Sequence, residues 1–345
     1  MKRSFLIYLL IYLIALSSCQ SKNEIESTFS AVANIEALWQ TIDTKYCFVE
    51  EKDVDWDAIH EEYITKARLL ESEMSDNKNY QELLFDLCAS MLDSLKDGHV
   101  NLYSWFDVSA YSGWYDNAPT NFNSSLVFSK YVPSYRMSGG LYYGRLSYEL
   151  TTDTIGYIYY SSFSNSCANI GGVLSKLSDC KAVIIDVRSN GGGDLTNAYT
   201  LAAPFFEHET IVGYWQHKNG PGHNDFSDLE ELKITPNKHV HWLRPVYVLT
   251  NRRCYSATNA FVNCMTNAEH ATIIGDKTGG GGGMPLSYEL PCGWMVRFSS
   301  VKMFNVNKES IEQGIQPDIR IDITNPSQRD DMIDKVILFT KRQAK

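Results

Sequence analysis

The chain has 345 residues, of which 44% are hydrophobic and 21% charged, with 22 glycines and 10 prolines. That composition is globular, and the length suits one large domain with an appendage, or two domains. The formal charge of −10 comes with no basic run, which argues against a nucleic-acid backbone as a partner.

Residues 1–18 read as a signal peptide. Lys2 and Arg3 precede the apolar run Phe5 to Leu16, and Leu16-Ser-Ser-Cys19 follows. The run is short for a membrane span and has the basic, apolar, small-residue order of a secretory signal. The cysteine after Leu-Ser-Ser resembles the bacterial lipobox, so Cys19 is expected to be the lipidated first residue of an exported lipoprotein. By the same resemblance Gln20, rather than an aspartate, points to the outer membrane. Ordinary cleavage beside a chance cysteine is the plainer alternative. Residues 19–30 are polar and suit a tether.

A helical unit is expected over residues 31–104. Its first helix carries Ile35, Leu38, Trp39 and Ile42 on one face, and its second starts at Asp55 with Trp56, Ile59, Tyr63 and Ala67. The third has Tyr80, Leu83, Leu84, Leu87, Cys88, Met91 and Leu92, a clear i, i+3, i+4, i+7 stripe. Gly98 reads as its C-terminal stop and Val100 to Tyr103 as a strand, which puts His99 at a helix–strand joint. From 31 to 105 there are 16 acidic and 6 basic residues, so most of the net charge lies here, usually as a solvated face.

Residues 105–150 form a small β-rich insert, with strands expected at Ser125–Tyr131 and Leu141–Ser147. From 151 to 325 strands and helices alternate, which predicts an α/β core: a sheet with helical layers. Strands are expected at Ile155–Tyr160, Lys181–Arg188, Ile211–Trp215, Pro245–Thr250, Ala271–Gly275, Leu286–Leu290, Trp294–Phe304 and Ile319–Ile323. Helices are expected at Ile170–Leu177, at about Leu195–Phe206, and from Ser256 to about Met265. Lys218–His239 reads as a polar loop, and residues 326–345 as a closing helix.

Two stretches carry chemistry. Asp186-Val-Arg188-Ser-Asn190-Gly-Gly-Gly193 places three glycines at the exit of a buried strand, where backbone N–H groups can converge in a nest that holds phosphate or an oxyanion. Phosphate would want Lys-Ser/Thr next, or the G-x-G-x-x-G spacing, whereas Asp194 and Leu195 follow. The second stretch is Pro245 to Phe261, an apolar strand, a polar break, and Ser256 where a helical pattern begins. Such a junction can lift a nucleophilic hydroxyl out of the backbone, but on local evidence alone a plain helix N-cap is the first reading. Cys254, two residues earlier, is a lesser nucleophile candidate. The eight cysteines fit no zinc pattern, and the seven beyond Cys19 leave at least one unpaired in an oxidising compartment.

Four motifs in order resemble one group. They are Asp186-Val-Arg-Ser-Asn-Gly-Gly-Gly193, Leu249-Thr-Asn251 with Ser256-Ala257, Gly275-Asp-Lys-Thr278-Gly279, and Gly314-Ile-Gln-Pro-Asp318. The group is the tricorn-core or carboxy-terminal processing peptidase family, and the likeness extends over about residues 30 to 325. It implies a crotonase-like ββα core, a serine-type endopeptidase acting on peptides or unfolded segments, and no metal or other cofactor. One branch of the family uses a lysine in Thr-x-Gly-Lys-Gly; here Thr278-Gly-Gly-Gly-Gly282 has glycine in its place. The tricorn-like branch uses a histidine in an Asp-x-His turn, matched by Asp97-Gly98-His99, and a glutamate matched by Glu312.

The resemblance thus implies Ser256 as nucleophile, His99 as base and Glu312 as the third group. It gives Gly192 or Gly193 with Ala257 as oxyanion donors, and Asp186, Arg188 and Asn190 as loop braces. In the tricorn pattern a second serine precedes the histidine and links it to the glutamate; Gly98 stands there. The insert is too short for the PDZ module that grips carboxyl tails in many relatives, so general cleavage is favoured over tail-specific cleavage. The alternative is a non-catalytic lipoprotein on the same fold that binds peptides or hydrophobic ligands.

Overall fold

A computed structural model describes residues 28–74, 77–147 and 155–343. The signal segment and Cys19 lie outside the described residues. In chain order the helices are α1 (Ala31–Lys45), α2 (Trp56–Met74), α3 (Tyr80–Asp93), α4 (Ile170–Lys176), α5 (Leu195–Ala202), α6 (Ala257–Met265) and α7 (Asp331–Gln343). The strands begin with β1 (Asn101–Tyr103), β2 (Val108–Ala110), β3 (Arg136–Ser138), β4 (Leu141–Arg145), β5 (Ile155–Tyr160) and β6 (Ala182–Asp186). They continue with β7 (Thr210–His217), β8 (Glu230–Ile234), β9 (Val246–Thr250), β10 (Ala271–Gly275), β11 (Gly283–Glu289), β12 (Met295–Phe304) and β13 (Ile319–Arg320).

The chain makes two compact units, both discontinuous in sequence. The smaller takes the described residues up to Tyr111 together with Lys218–Phe226 and Pro285–Ser300. Two of its three long helices start at side-chain caps: Ser30 Oγ accepts from Ala33 N at 3.2 Å, and Asp55 Oδ1 from Ala58 N at 3.0 Å. Their apolar stripes, including Leu38, Ile42, Tyr63, Cys88 and Met91, close on Leu290, Trp294, Val296 and Phe298 from the returning chain. After α3 the left-handed residue is Lys96, at φ 48°, not Gly98. β1 pairs antiparallel with β2 and with the first part of β12, Asn101 opposite Arg297.

In the larger unit seven strands form one sheet in the order β13-β10-β9-β6-β5-β4-β3. The five from β13 to β5 are parallel and the last two antiparallel. Strand alternation decides which face each side chain serves. Val183 and Ile185 of β6, with Val246 and Val248 of β9, join the core under α4, α5 and α6. Ala182 and Ile184, with Tyr247 and Leu249, join the opposite core under α7, where Met332, Ile333, Val336 and Ile337 pack. Helices therefore cover both faces of a mostly parallel sheet, the α/β arrangement that the alternating pattern implies.

Two expectations fail locally. Ser125–Tyr131 is helical, because Asn123 Oδ1 caps the turn by accepting from Leu126 N at 3.0 Å and because Val127 and Tyr131 bury on one side. The polar loop Lys218–His239 contains β8, whose Leu232 and Ile234 are buried while Glu230, Glu231 and Lys233 are exposed. β8 pairs antiparallel with β7.

Candidate functional site

The glycine nest stands on a buried charge cluster at the end of β6. Arg188 is fully buried, and its guanidinium reaches Asp186 Oδ2 at 2.5 Å, Asp186 Oδ1 at 2.9 Å and Asp330 Oδ2 at 2.8 Å. Tyr157 OH donates to Asp186 Oδ2 at 2.8 Å, and the Arg188 head lies 4.3 Å from the centre of the Phe122 ring. Ser189 follows at φ 60°, its N–H donated to Asn251 Oδ1 at 2.9 Å. Asn190 Nδ2 holds Tyr160 O at 2.8 Å, and Asn190 O accepts from Tyr255 N at 3.1 Å. These side chains hold the loop's shape.

Gly192 has φ 102°, and a Cβ there would lie 2.7 Å from Tyr255 O and 2.8 Å from Ser256 Cβ. Only glycine lets this loop lie against the serine turn. Its own N–H, however, is donated to Asn190 Oδ1 at 3.0 Å. In this structure the loop itself takes up that hydrogen. Among the described residues no acceptor takes the amides of Gly193 or Ala257. Asp194, next in the chain, caps α5 through Thr196 N at 2.8 Å.

Ser256 joins β9 to α6 with φ 58° and ψ −121°, a backbone setting that costs a side-chain-bearing residue about 1–3 kcal/mol. Its side chain makes no cap hydrogen bond to the helix it precedes, so the plain N-cap reading has no support here. Its N–H instead bonds Gly280 O at 2.9 Å. Cys254 is fully buried, with Sγ 3.1 Å from Val187 O, and burial pushes its thiol up to about 12. That removes it as a nucleophile. Trp114, which the sequence gave no reason to single out, stacks on Tyr255 at 4.2 Å, and its ring is 3.2 Å from a Cβ built at Gly191.

The run after Thr278 wraps around Glu312, which is 7% exposed. Gly282 N donates to Glu312 Oε2 at 2.8 Å, and Gly281 N to Glu312 O at 3.1 Å. Gly281 occupies the lysine position of the other catalytic branch. It has φ 77°, and a Cβ there would be 2.6 Å from the Tyr255 ring. No side chain fits, so a Gly281→Lys variant is expected to lose roughly 1–3 kcal/mol or more of stability from backbone strain and steric overlap. Thermal denaturation tests this; an unchanged midpoint would show that the Tyr255 ring moves aside freely.

His99 belongs to the smaller unit and is 3% exposed. Asp97 Oδ1 accepts the His99 main-chain N–H at 2.8 Å, while Asp97 Oδ2 accepts from Tyr46 OH at 2.5 Å and lies 3.6 Å from Lys52 Nζ. Ser299 Oγ is 3.3 Å from His99 Nδ1. Burial pulls the imidazole down to about 4, against the attraction of Asp97 and with help from Arg297 and Lys52. A neutral ring at pH 7 is what a general base requires.

The sign of the linked stability follows. Between about 6.5 and about 4 the unfolded chain binds a proton at His99 that the folded chain refuses, so stability falls as pH falls through that window. The contribution is at most about 1.4 kcal/mol per pH unit. Denaturation midpoints measured from pH 7 to pH 4 should show this slope, and His99→Gln should flatten it; an equal slope in both proteins would contradict the assignment.

Residues 154–321 match Peptidase family S41, and residues 33–89 match the Tricorn protease C1 domain. The crystal structure of a candidate peptidase from Parabacteroides merdae is 42% identical, covers 90% of this chain and 96% of its own, and superposes with a TM-score of 0.80. The chain belongs to peptidase family S41. A carboxyl-terminal-processing protease of Synechocystis is 28% identical over 169 residues, which are 48% of this chain and 37% of that protein. The Bacillus subtilis carboxy-terminal processing protease CtpA is 25% identical over 179 residues, 51% of this chain and 36% of its own. The chain thus matches little more than a third of the length of these curated S41 relatives. The S41 match contains every expected site residue except His99 and Cys19. No described helix is long and apolar enough to cross a membrane.

Proposed function

We propose that this S41 protein is a serine peptidase that hydrolyses peptides or unfolded protein segments outside the cytoplasm, tethered to the membrane by a lipid on Cys19. The observation that carries the reading is Ser256 held at φ 58°, ψ −121° against the Gly192–Gly193 loop, with no helix-cap bond from its side chain. A strained serine backed by a glycine nest has a cost that a binding protein has no reason to keep.

Ser256 Oγ attacks the scissile carbonyl carbon while its proton passes to Nε2 of neutral His99. The carbonyl oxygen becomes an oxyanion held by the N–H groups of Gly193 and Ala257, each worth about 3 kcal/mol. The C–N bond breaks as the imidazolium gives its proton to the leaving amine. Water then attacks the acyl-enzyme with His99 again as base, releasing the acid and restoring Ser256. The Glu312 carboxylate, already fixed by the Gly282 amide, stabilises the imidazolium.

Fluorophosphonate labelling followed by peptide mapping tests the assignment. The label is expected on Ser256 and absent from Ser256→Ala. A label on any other residue, or none together with no cleavage of unfolded casein, would sink the proposal.

A further inference from the structure

Gly98 directly precedes His99, so the neighbouring residue offers no side chain to hold the imidazole. We propose that Ser299 is the positioning residue for His99: its hydroxyl accepts a hydrogen bond from the imidazole Nδ1–H and leaves Nε2 as the basic nitrogen. The inference rests on His99 being the general base.

Strand register brings the two residues together. β1 and β12 pair antiparallel, with Asn101 opposite Arg297, Leu102 opposite Val296 and Tyr103 opposite Met295. Continued two residues past the start of β1, that register puts position 99 opposite position 299. Ser299 Oγ lies 3.3 Å from His99 Nδ1, and Ser299 is fully buried. Its main chain is pinned as well, since Ser299 O accepts from Cys47 N at 2.9 Å. The serine therefore reaches the imidazole from a strand 200 positions away rather than from the preceding residue.

Asp97 spends its oxygens on the His99 main-chain N–H, the Tyr46 hydroxyl and the Lys52 ammonium. Arg297 Nη1 donates to Asn101 Oδ1 at 3.1 Å. A neutral imidazole has one ring proton, and the partner at one nitrogen decides where it stays. With Ser299 Oγ as acceptor the proton sits on Nδ1. A serine adds no negative charge, so it fixes the tautomer without making the ring more basic.

The tautomer can be read without any activity, which separates this inference from the peptidase reading. In protein labelled with 15N-histidine, the His99 ring signals, assigned against His99→Gln, are expected to show the Nδ1–H form. Ser299→Ala should shift the population toward Nε2–H, and Ser299→Thr, which keeps the hydroxyl, should restore it. Turnover of unfolded casein should fall roughly 10-fold in kcat for Ser299→Ala with KM little changed, well short of the ~10⁴ that a charged orienter supplies. Ser299→Thr should recover it. A wild-type ring protonated on Nε2, or a tautomer ratio or kcat unmoved by Ser299→Ala, would overturn the proposal. If Ser299→Ala fails to fold, the wild-type tautomer and the threonine variant decide it alone. An inactive wild type with an Nδ1–H ring would sink the peptidase and leave this pairing standing.

Discussion

Ser256→Ala is expected to lower kcat/KM on an unfolded protein substrate by roughly 10⁴- to 10⁶-fold, about 5–8 kcal/mol of transition-state stabilisation. On the proposed mechanism the oxygen that would form the acyl-enzyme is gone, while the amides of Gly193 and Ala257 remain. What survives is the residual rate that an oxyanion hole and substrate binding give to attacking water. His99→Ala should cost a similar factor, because an unassisted serine hydroxyl is a poor nucleophile. The double variant should be scarcely worse than either single one, since nucleophile and base act as a unit. Steady-state kinetics on the three proteins decides this. Losses below tenfold, or losses that multiply in the double variant, would show that the residues do not act together.

Arg188→Ala should be the most destabilising substitution in the larger unit, by about 3–5 kcal/mol. The guanidinium is fully buried between Asp186 and Asp330, and removing it leaves two carboxylates facing each other without water. Burial already pushes the Asp330 carboxyl up, against the pull of Arg188. Without the arginine, both acids and the Tyr157 hydroxyl lose their compensating charge. Arg188→Lys should recover little, because a lysine head cannot make the paired contacts to Asp186. Urea denaturation of wild type and both variants measures the effect, and Arg188→Ala within about 1 kcal/mol of wild type would refute it. Since Ser189 and Asn190 follow directly, the surviving folded fraction should also lose activity through a slackened nest.

Much of this was legible in the residues because it depends on backbone requirements that few residues meet. Three glycines after a buried strand, a serine at a strand–helix junction and a glycine at the lysine position of Thr-x-Gly-Lys-Gly each mark a conformation that shows in the sequence. The apolar stripes of α1 to α3 did the same for packing. Tertiary partners left weaker marks. Ser299 lies in Phe298-Ser-Ser-Val301, four consecutive buried residues, so no alternation sets it apart. Gly192 and Gly193 look alike in sequence, and only the turn of the Asn190 side chain separates the consumed amide from the open one. β8 was hidden because a short strand with charged residues on its outer face resembles a polar loop. Trp114 gave no signal, since its partner Tyr255 is remote in the chain.

The smaller unit is threaded from three separate stretches, with residues 285–300 supplying the last of its core. A ribosome delivers α1, α2 and α3 first and Leu290, Trp294, Val296 and Phe298 much later, so the early helices emerge with one wall missing. Their apolar stripes lack those partners while most of the α/β sheet is made. The sheltered setting of His99 is assembled from Tyr46, Asp97 and, last, Ser299. Translation that stops between residues 256 and 299 therefore yields a fragment with Ser256 but with neither Ser299 nor Glu312. On the proposed mechanism such a fragment lacks the groups that attend His99, and it is expected to be inert rather than an unregulated hydrolase.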